Sequence, residues 1–245
     1  NLSRVSKDFS IWSTSEFSFL ELSDEFTSPS SVMPQKKNPD ILELTRGKTS
    51  QVIGNLTSML STIQGLPSGY SRDLQQINPS IWSASKIVIS ALLIMESMLK
   101  TVIVNKKNMK KAAEEGYLIA LDLAEKLVHN DIPFRKSHQI IGHIVKIAHK
   151  SGKPISELSE SEVKKVLKGK GVSLELLMKL IRSTTITSSL HERKSQGSSG
   201  ISEQKRMIAH RTVKIEKYQT GIKKRSDQVQ NSLNKLNRRV KQLTK

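Results

Sequence analysis

Between Thr27 and Pro39 the chain gathers groups suited to holding a carboxylate. The segment reads Thr-Ser-Pro-Ser-Ser-Val-Met-Pro-Gln-Lys-Lys-Asn-Pro. It offers the hydroxyls of Ser30 and Ser31, the ammonium of Lys36 and the amide of Asn38. Hydroxyl, amide and backbone N–H groups bind a carboxylate, and a lysine neutralises it. Prolines restrict the loop, as suits a segment that closes over an anion. Composition alone also fits an ordinary polar loop with incidental lysines, so the order of the residues has to decide.

The elements around this loop read as helices. Strand signals are nearly absent, with few aromatics and no Asn-Gly turn. A helix is expected from Asn1 to about Leu22, carrying Phe9, Trp12 and Phe19. Its amphipathic pattern is already under way at Leu2, which reads as a piece of a longer chain. A second helix is expected from Asp40 to about Ile63, opened by Pro39, with Leu42, Ile53, Leu56 and Leu60 inside. A third is expected from Pro79 to about Val104, capped by Asn78. Trp12 and Trp82 sit in apolar stripes and are expected in the core. Shorter helices are expected at 109–115, 118–129, 136–150, 158–167 and 173–181. The division reads as 1–108 for the long helices with the loop at 27–39, 109–190 for a small helical domain, and 191–245 for a basic helical tail. The fold class is all-α.

Net charge is +18, of which residues 201–245 hold 13 Lys/Arg against 3 Asp/Glu, a difference of +10. The tail reads as a solvated basic helix. The body lacks the alternation of basic and aromatic residues used by single-strand binders, so nucleic acid is not the expected partner. Ile208, Ile215, Ile222, Val229, Leu236 and Leu243 recur every seven residues, with Leu233 and Val240 adding a second seam. This helix is expected to dock on a body or partner rather than form a free dimeric coiled coil. No unbroken apolar run reaches the ~18–20 residues of a membrane span, and none is expected. Without cysteine, neither a disulfide nor a thiolate metal site is available. His138 and His143 lie five apart, the wrong spacing for one helix face. Gly169 and Gly171 lack P-loop spacing. The readings are a cytoplasmic protein with no metal site.

Ser30-Ser31-Val32-Met33-Pro34-Gln35-Lys36-Lys37-Asn38-Pro39 resembles the signature of the fumarase/aspartase superfamily. The flanks resemble its argininosuccinate lyase branch: Trp12 to Phe17, Glu21 to Asp24, Leu42 to Leu44 with Arg46 to Lys48, Gly65 to Pro67, and Tyr70 with Arg72 to Gln75. Asp122 to Ala124 and Pro133 to Arg135 resemble its small C-terminal domain. The resemblance covers about residues 1–150 and fades beyond.

What the resemblance implies is an elimination releasing fumarate and L-arginine from argininosuccinate. A base must take a weakly acidic Cβ proton, and fixed charges must face the carbanion that forms. Position by position, Ser30 matches the base, while Lys36 and Asn38 match the groups holding the developing charge. Glu43 matches the acid that orients a histidine, which none of the six histidines here matches. Ser31 and Met33 line the same pocket, and Tyr70 and Gln75 match substrate positions. A homotetramer with a twenty-helix core and active sites shared between subunits is implied. The isolated chain is then expected to be inactive. Pro29 stands where many members have glycine, and Asn78 where many have lysine. The rival readings are an adenylosuccinate lyase-type enzyme and a silent lyase-fold scaffold.

Overall fold

The computed structural model describes residues 1–30, 32–33 and 37–243. They divide into two units, Asn1–Ala112 and Ala113–Lys245, four residues beyond the expected boundary.

The first unit holds α1 (Leu2–Trp12), α2 (Asp40–Ile63), α3 (Ile77–Thr101) and most of α4 (Lys106–Glu115). Four two-residue strands accompany them: β1 (Leu20–Glu21), β2 (Ser28–Pro29), β3 (Lys37–Asn38) and β4 (Ile103–Val104). They pair antiparallel as β1 with β4 and β2 with β3. The first helix ends ten residues short of the expected Leu22. The Ser13 and Thr14 hydroxyls turn back onto the carbonyls of Ser10 and Ile11, and Ser18 has a positive φ of 47°. Local hydroxyl bonds of this kind compete with helix continuation. The third helix starts at Ile77, behind a 3-10 turn over Arg72–Gln76, so Pro79 lies inside its first turn. There its missing N–H costs nothing.

Leu22, Phe26, Leu42, Met95 and Met98 form the core of this unit. Three expected core positions of α2 are outside it: Ile53, Leu56 and Leu60 are exposed. Trp82 is 72% exposed, so the expectation of a buried Trp82 is wrong. Apolar periodicity marks faces that need cover, and within one chain these faces have none. The same apolar face makes Arg72–Thr101 long and apolar enough, by length and composition, to cross a membrane, at a mean hydropathy of 1.4 over an 18-residue window. The expectation of no such segment rested on unbroken runs and missed the average. Ala91, Met95 and Met98 on this helix are buried against protein.

The second unit packs α5 (Ala120–Val128), α6 (Phe134–Ser151), α7 (Glu160–Leu167) and α8 (Leu174–Ser183) around Leu123, Leu127, Ile140, Ile144, Val163, Leu177 and Ile181. On α6, Ser137, Ile140, Ile141, Ile144 and Ala148 make one buried stripe at helical spacing. Gly152 ends it in the left-handed conformation at φ 62°, with Lys153 N–H reaching back to the Ala148 carbonyl. Ser159 and Glu162 close a capping box at the start of α7. α9 (Ile186–Glu192) was not expected from the sequence; it is seven residues long, too short for periodicity to reveal.

α10 (Ile201–Leu243) is 43 residues long. Its start is fixed by Glu203, which is 6% exposed. Glu203 accepts the Gly197 N–H at 2.8 Å and both Nε and Nη2 of Arg206 at 2.7 Å. These bonds, Arg206 first and the Gly197 N–H second, lower its pKa from 4.5 to about 2. A depressed folded pKa gives stability that is full above the unfolded value and is lost as pH falls through the folded one. The stability gap between the native chain and Glu203→Gln is therefore expected to stay constant above about pH 5 and close toward pH 2. Urea melts across that range measure it.

Candidate active site

The two ends of the segment 27–39 are joined in a neck. Pairing of β2 with β3 sets Ser28 opposite Asn38 and Pro29 opposite Lys37. The Ser28 hydroxyl donates to Asp40 at the start of α2. Lys37 Nζ lies 2.7 Å from Asp24 Oδ1 and 3.7 Å from Glu21 Oε1. The hydrogen bond to Asp24 and then its charge raise the Lys37 ammonium above its ordinary 10.5. Of the two adjacent lysines, Lys37 is thus spent on the neck. Sequence reasoning missed this role; its signal was the acidic pair Glu21 and Asp24 one short segment upstream. Pro29 sits in the neck ladder itself, where its fixed φ stiffens the loop entrance.

At the loop's entrance, the Ser30 hydroxyl oxygen accepts two backbone N–H groups, Val32 at 3.3 Å and Met33 at 3.2 Å. Donors aimed at one oxygen favour its deprotonated form. A serine so placed is better suited to hold negative charge than a free one. Val32 is 84% exposed and Met33 is 43% exposed. Ser31 and Lys36 lie outside the described residues. Asn38 is half-buried in the neck, and Glu43 is exposed in the first turn of α2. The structure therefore brings Ser30, Asn38 and Glu43 to one end of one helix.

It does not bring Tyr70 and Gln75 there. Both follow α2, whose 24 residues span about 36 Å at 1.5 Å per residue. Tyr70 is 85% exposed, and Asp73 beside it has a pKa lowered by the Ser71 hydroxyl. Within a single chain the loop and the Tyr70 segment belong to opposite ends of a rod. Asn78 is exposed in the first turn of α3, at the Tyr70 end. A cavity of about 550 Å³ lies against the neck, lined by Glu21, Thr27, Lys37, Pro39, Ile103 and Asn105 among others, and by none of Ser30, Asn38 and Glu43.

Releasing Lys37 should loosen the neck. Lys37→Gln is expected to raise hydrogen exchange at the Ser28 and Asn38 amides by about two- to fivefold, the scale of an exposed ion pair. Lys37→Arg should restore most of the protection.

Family models, relatives and solved structures all match this chain. The argininosuccinate lyase C-terminal family matches residues 117–187, and the lyase family matches residues 1–54. An argininosuccinate lyase of Nitrosopumilus maritimus is 60% identical over 243 residues, 99% of this chain and 50% of that protein. One of Clostridium tetani is 45% identical over 165 residues, 67% of this chain and 38% of that protein. The chain thus spans about half the length of the N. maritimus relative and less of the Clostridium one. An EDDS lyase variant solved with bound fumarate matches with a TM-score of 0.70 at 25% identity, over 88% of this chain and 44% of that one. The matches take in the loop, the long helices and the small domain, and the chain belongs to the argininosuccinate lyase family.

Proposed function

We propose that the protein containing this chain cleaves argininosuccinate to fumarate and L-arginine, as a step of arginine biosynthesis in the cytoplasm. The observation that carries the reading is Ser30, with two backbone N–H groups on its hydroxyl, in a loop of matching order. In this mechanism Ser30, as the alkoxide, takes the Cβ proton of the succinyl group. The electron pair left on carbon spreads into the adjacent carboxylate, whose charge Lys36 and Asn38 hold in this reading. The C–N bond then breaks as the fumarate double bond forms. A histidine oriented by Glu43 and supplied by the half of the relatives' length that this chain does not span gives a proton to the leaving nitrogen. Each proton taken from carbon is matched by one given to nitrogen, and no metal or organic cofactor is needed.

The separation of Ser30 from Tyr70 supports a site assembled from several copies. An antiparallel neighbour would lay the Tyr70 segment of one chain beside the loop of another. Exposed Ile53, Leu56, Trp82, Ile89 and Leu93 give α2 and α3 the apolar faces such a bundle would bury. A homotetramer is the assembly proposed. The test is product analysis: the full-length protein, given argininosuccinate, should release fumarate and arginine in equal amounts. A full-length protein that binds argininosuccinate without turnover would leave the silent scaffold as the reading.

A further inference from the structure

The apolar stripe of α10 has no cover among the described residues. Ile208, Ile215, Ile222, Val229, Leu236 and Leu243 are 55–72% exposed. The expected docking on the chain's own body does not extend past Met207, the last residue of this helix with partial cover. The helix is nonetheless anchored at Glu203. The match to the N. maritimus relative covers 243 residues and so takes in nearly all of it.

Two features say what could cover the stripe. The first is its period. A strict seven-residue repeat on a straight α-helix drifts by about 20° per heptad. From Ile201 to Leu243 that amounts to about 120°, a third of a turn. A flat surface, such as a lipid bilayer, would meet only part of such a stripe. A second helix that supercoils left-handedly follows all of it. Toward the end the pattern becomes two-seamed, with Val229, Leu233, Leu236 and Val240 at alternating spacings of four and three. The second feature is charge. Arg211, Arg225 and Arg239 each follow a stripe residue by three positions and line one flank, while Glu216 and Lys223 lie on the other, beside Ile215 and Ile222. Two copies of this tail would bring +10 against +10 at a helix spacing of about 10 Å. That net like charge opposes self-pairing, and a partner helix with acidic flanks is favoured opposite Arg211, Arg225 and Arg239.

We propose that α10 is a docking helix for another protein, one presenting a heptad helix with an apolar seam and Glu or Asp at its flanks. The inference is independent of the chemistry at Ser30. The test uses the 245-residue chain and two synthetic acidic peptides about five heptads long. One has an Ile/Leu seam with Glu flanks; the other has the same composition with the seam order scrambled. Fluorescence anisotropy at physiological salt should show the seamed peptide binding at least about tenfold more tightly. Ile222→Asn with Leu236→Asn, both at exposed positions, should remove that difference while the thermal melt stays unchanged. Equal binding of the two peptides would overturn the proposal in favour of charge alone. Concentration-dependent self-association abolished by the same double variant would overturn it in favour of a second copy. Binding of mixed-sequence duplex DNA that is tighter than binding of the seamed peptide and indifferent to the double variant would overturn it in favour of nucleic acid.

Discussion

Ser30→Ala in the full-length protein is expected to lower fumarate release from argininosuccinate by about 10²- to 10⁴-fold, the usual range for a general base. The expectation rests on where the hydroxyl is held. Its oxygen accepts the N–H groups of Val32 and Met33, and alanine leaves those donors aimed at nothing. Ser30 belongs to neither buried core cluster, so its removal should leave the melting temperature where it is. A large loss of turnover at constant stability separates a base from a structural serine. Steady-state kinetics should place most of the loss in kcat, because the proton transfer is made only in the transition state. A loss confined to KM would instead mark Ser30 as a binding group.

The largest stability effect is expected at Asp122. Its side chain is 8% exposed; it accepts from Ser189 Oγ at 2.8 Å and from Arg193 Nη2 at 3.2 Å. Asp122→Ala leaves the buried Ser189 hydroxyl and a partly buried guanidinium without their acceptor. Breaking one side of a buried pair costs about 3–5 kcal/mol, and the Arg193 side chain, 36% exposed, recovers part of that from water. A loss of about 2–3 kcal/mol remains. For a unit of this size that lowers the melting temperature by about 5–10 °C. Asp122→Asn keeps one acceptor oxygen and should fall between. Thermal melts of the three chains decide it, and an unchanged melt in the alanine variant would show the cluster to be dispensable.

The long helices were legible because their signals are local. Asp40 to Ile63 was read from an opening proline, apolar spacing and a Gly-Pro-Gly break, and α2 spans those residues. The helices of the second unit fell within a few residues for the same reason. Where the reading failed, a competing local bond or an absent neighbour was responsible. The α1 pattern ran past Trp12, but hydroxyls of Ser13 and Thr14 took the carbonyls that the helix needed. Trp82 was read as core because its stripe is apolar; apolarity says that a face wants cover, not which chain provides it. In the candidate site, Ser30 and Asn38 were legible through residue order. The neck was not: Ser28 with Asp40 and Lys37 with Asp24 join positions 12 and 13 residues apart, and two-residue strands leave no periodicity to read. The distance from Ser30 to Tyr70 was not legible either, since sequence order does not say that a straight helix separates them.

The loop at 27–39 is proposed to serve argininosuccinate cleavage. The most direct measurement is fumarate formation by the full-length protein, with argininosuccinate and adenylosuccinate supplied in parallel. Rapid fumarate release is expected from argininosuccinate and essentially none from adenylosuccinate. Turnover of adenylosuccinate alone would keep the elimination at Ser30 and contradict the substrate. Fumarate from neither would contradict the activity itself.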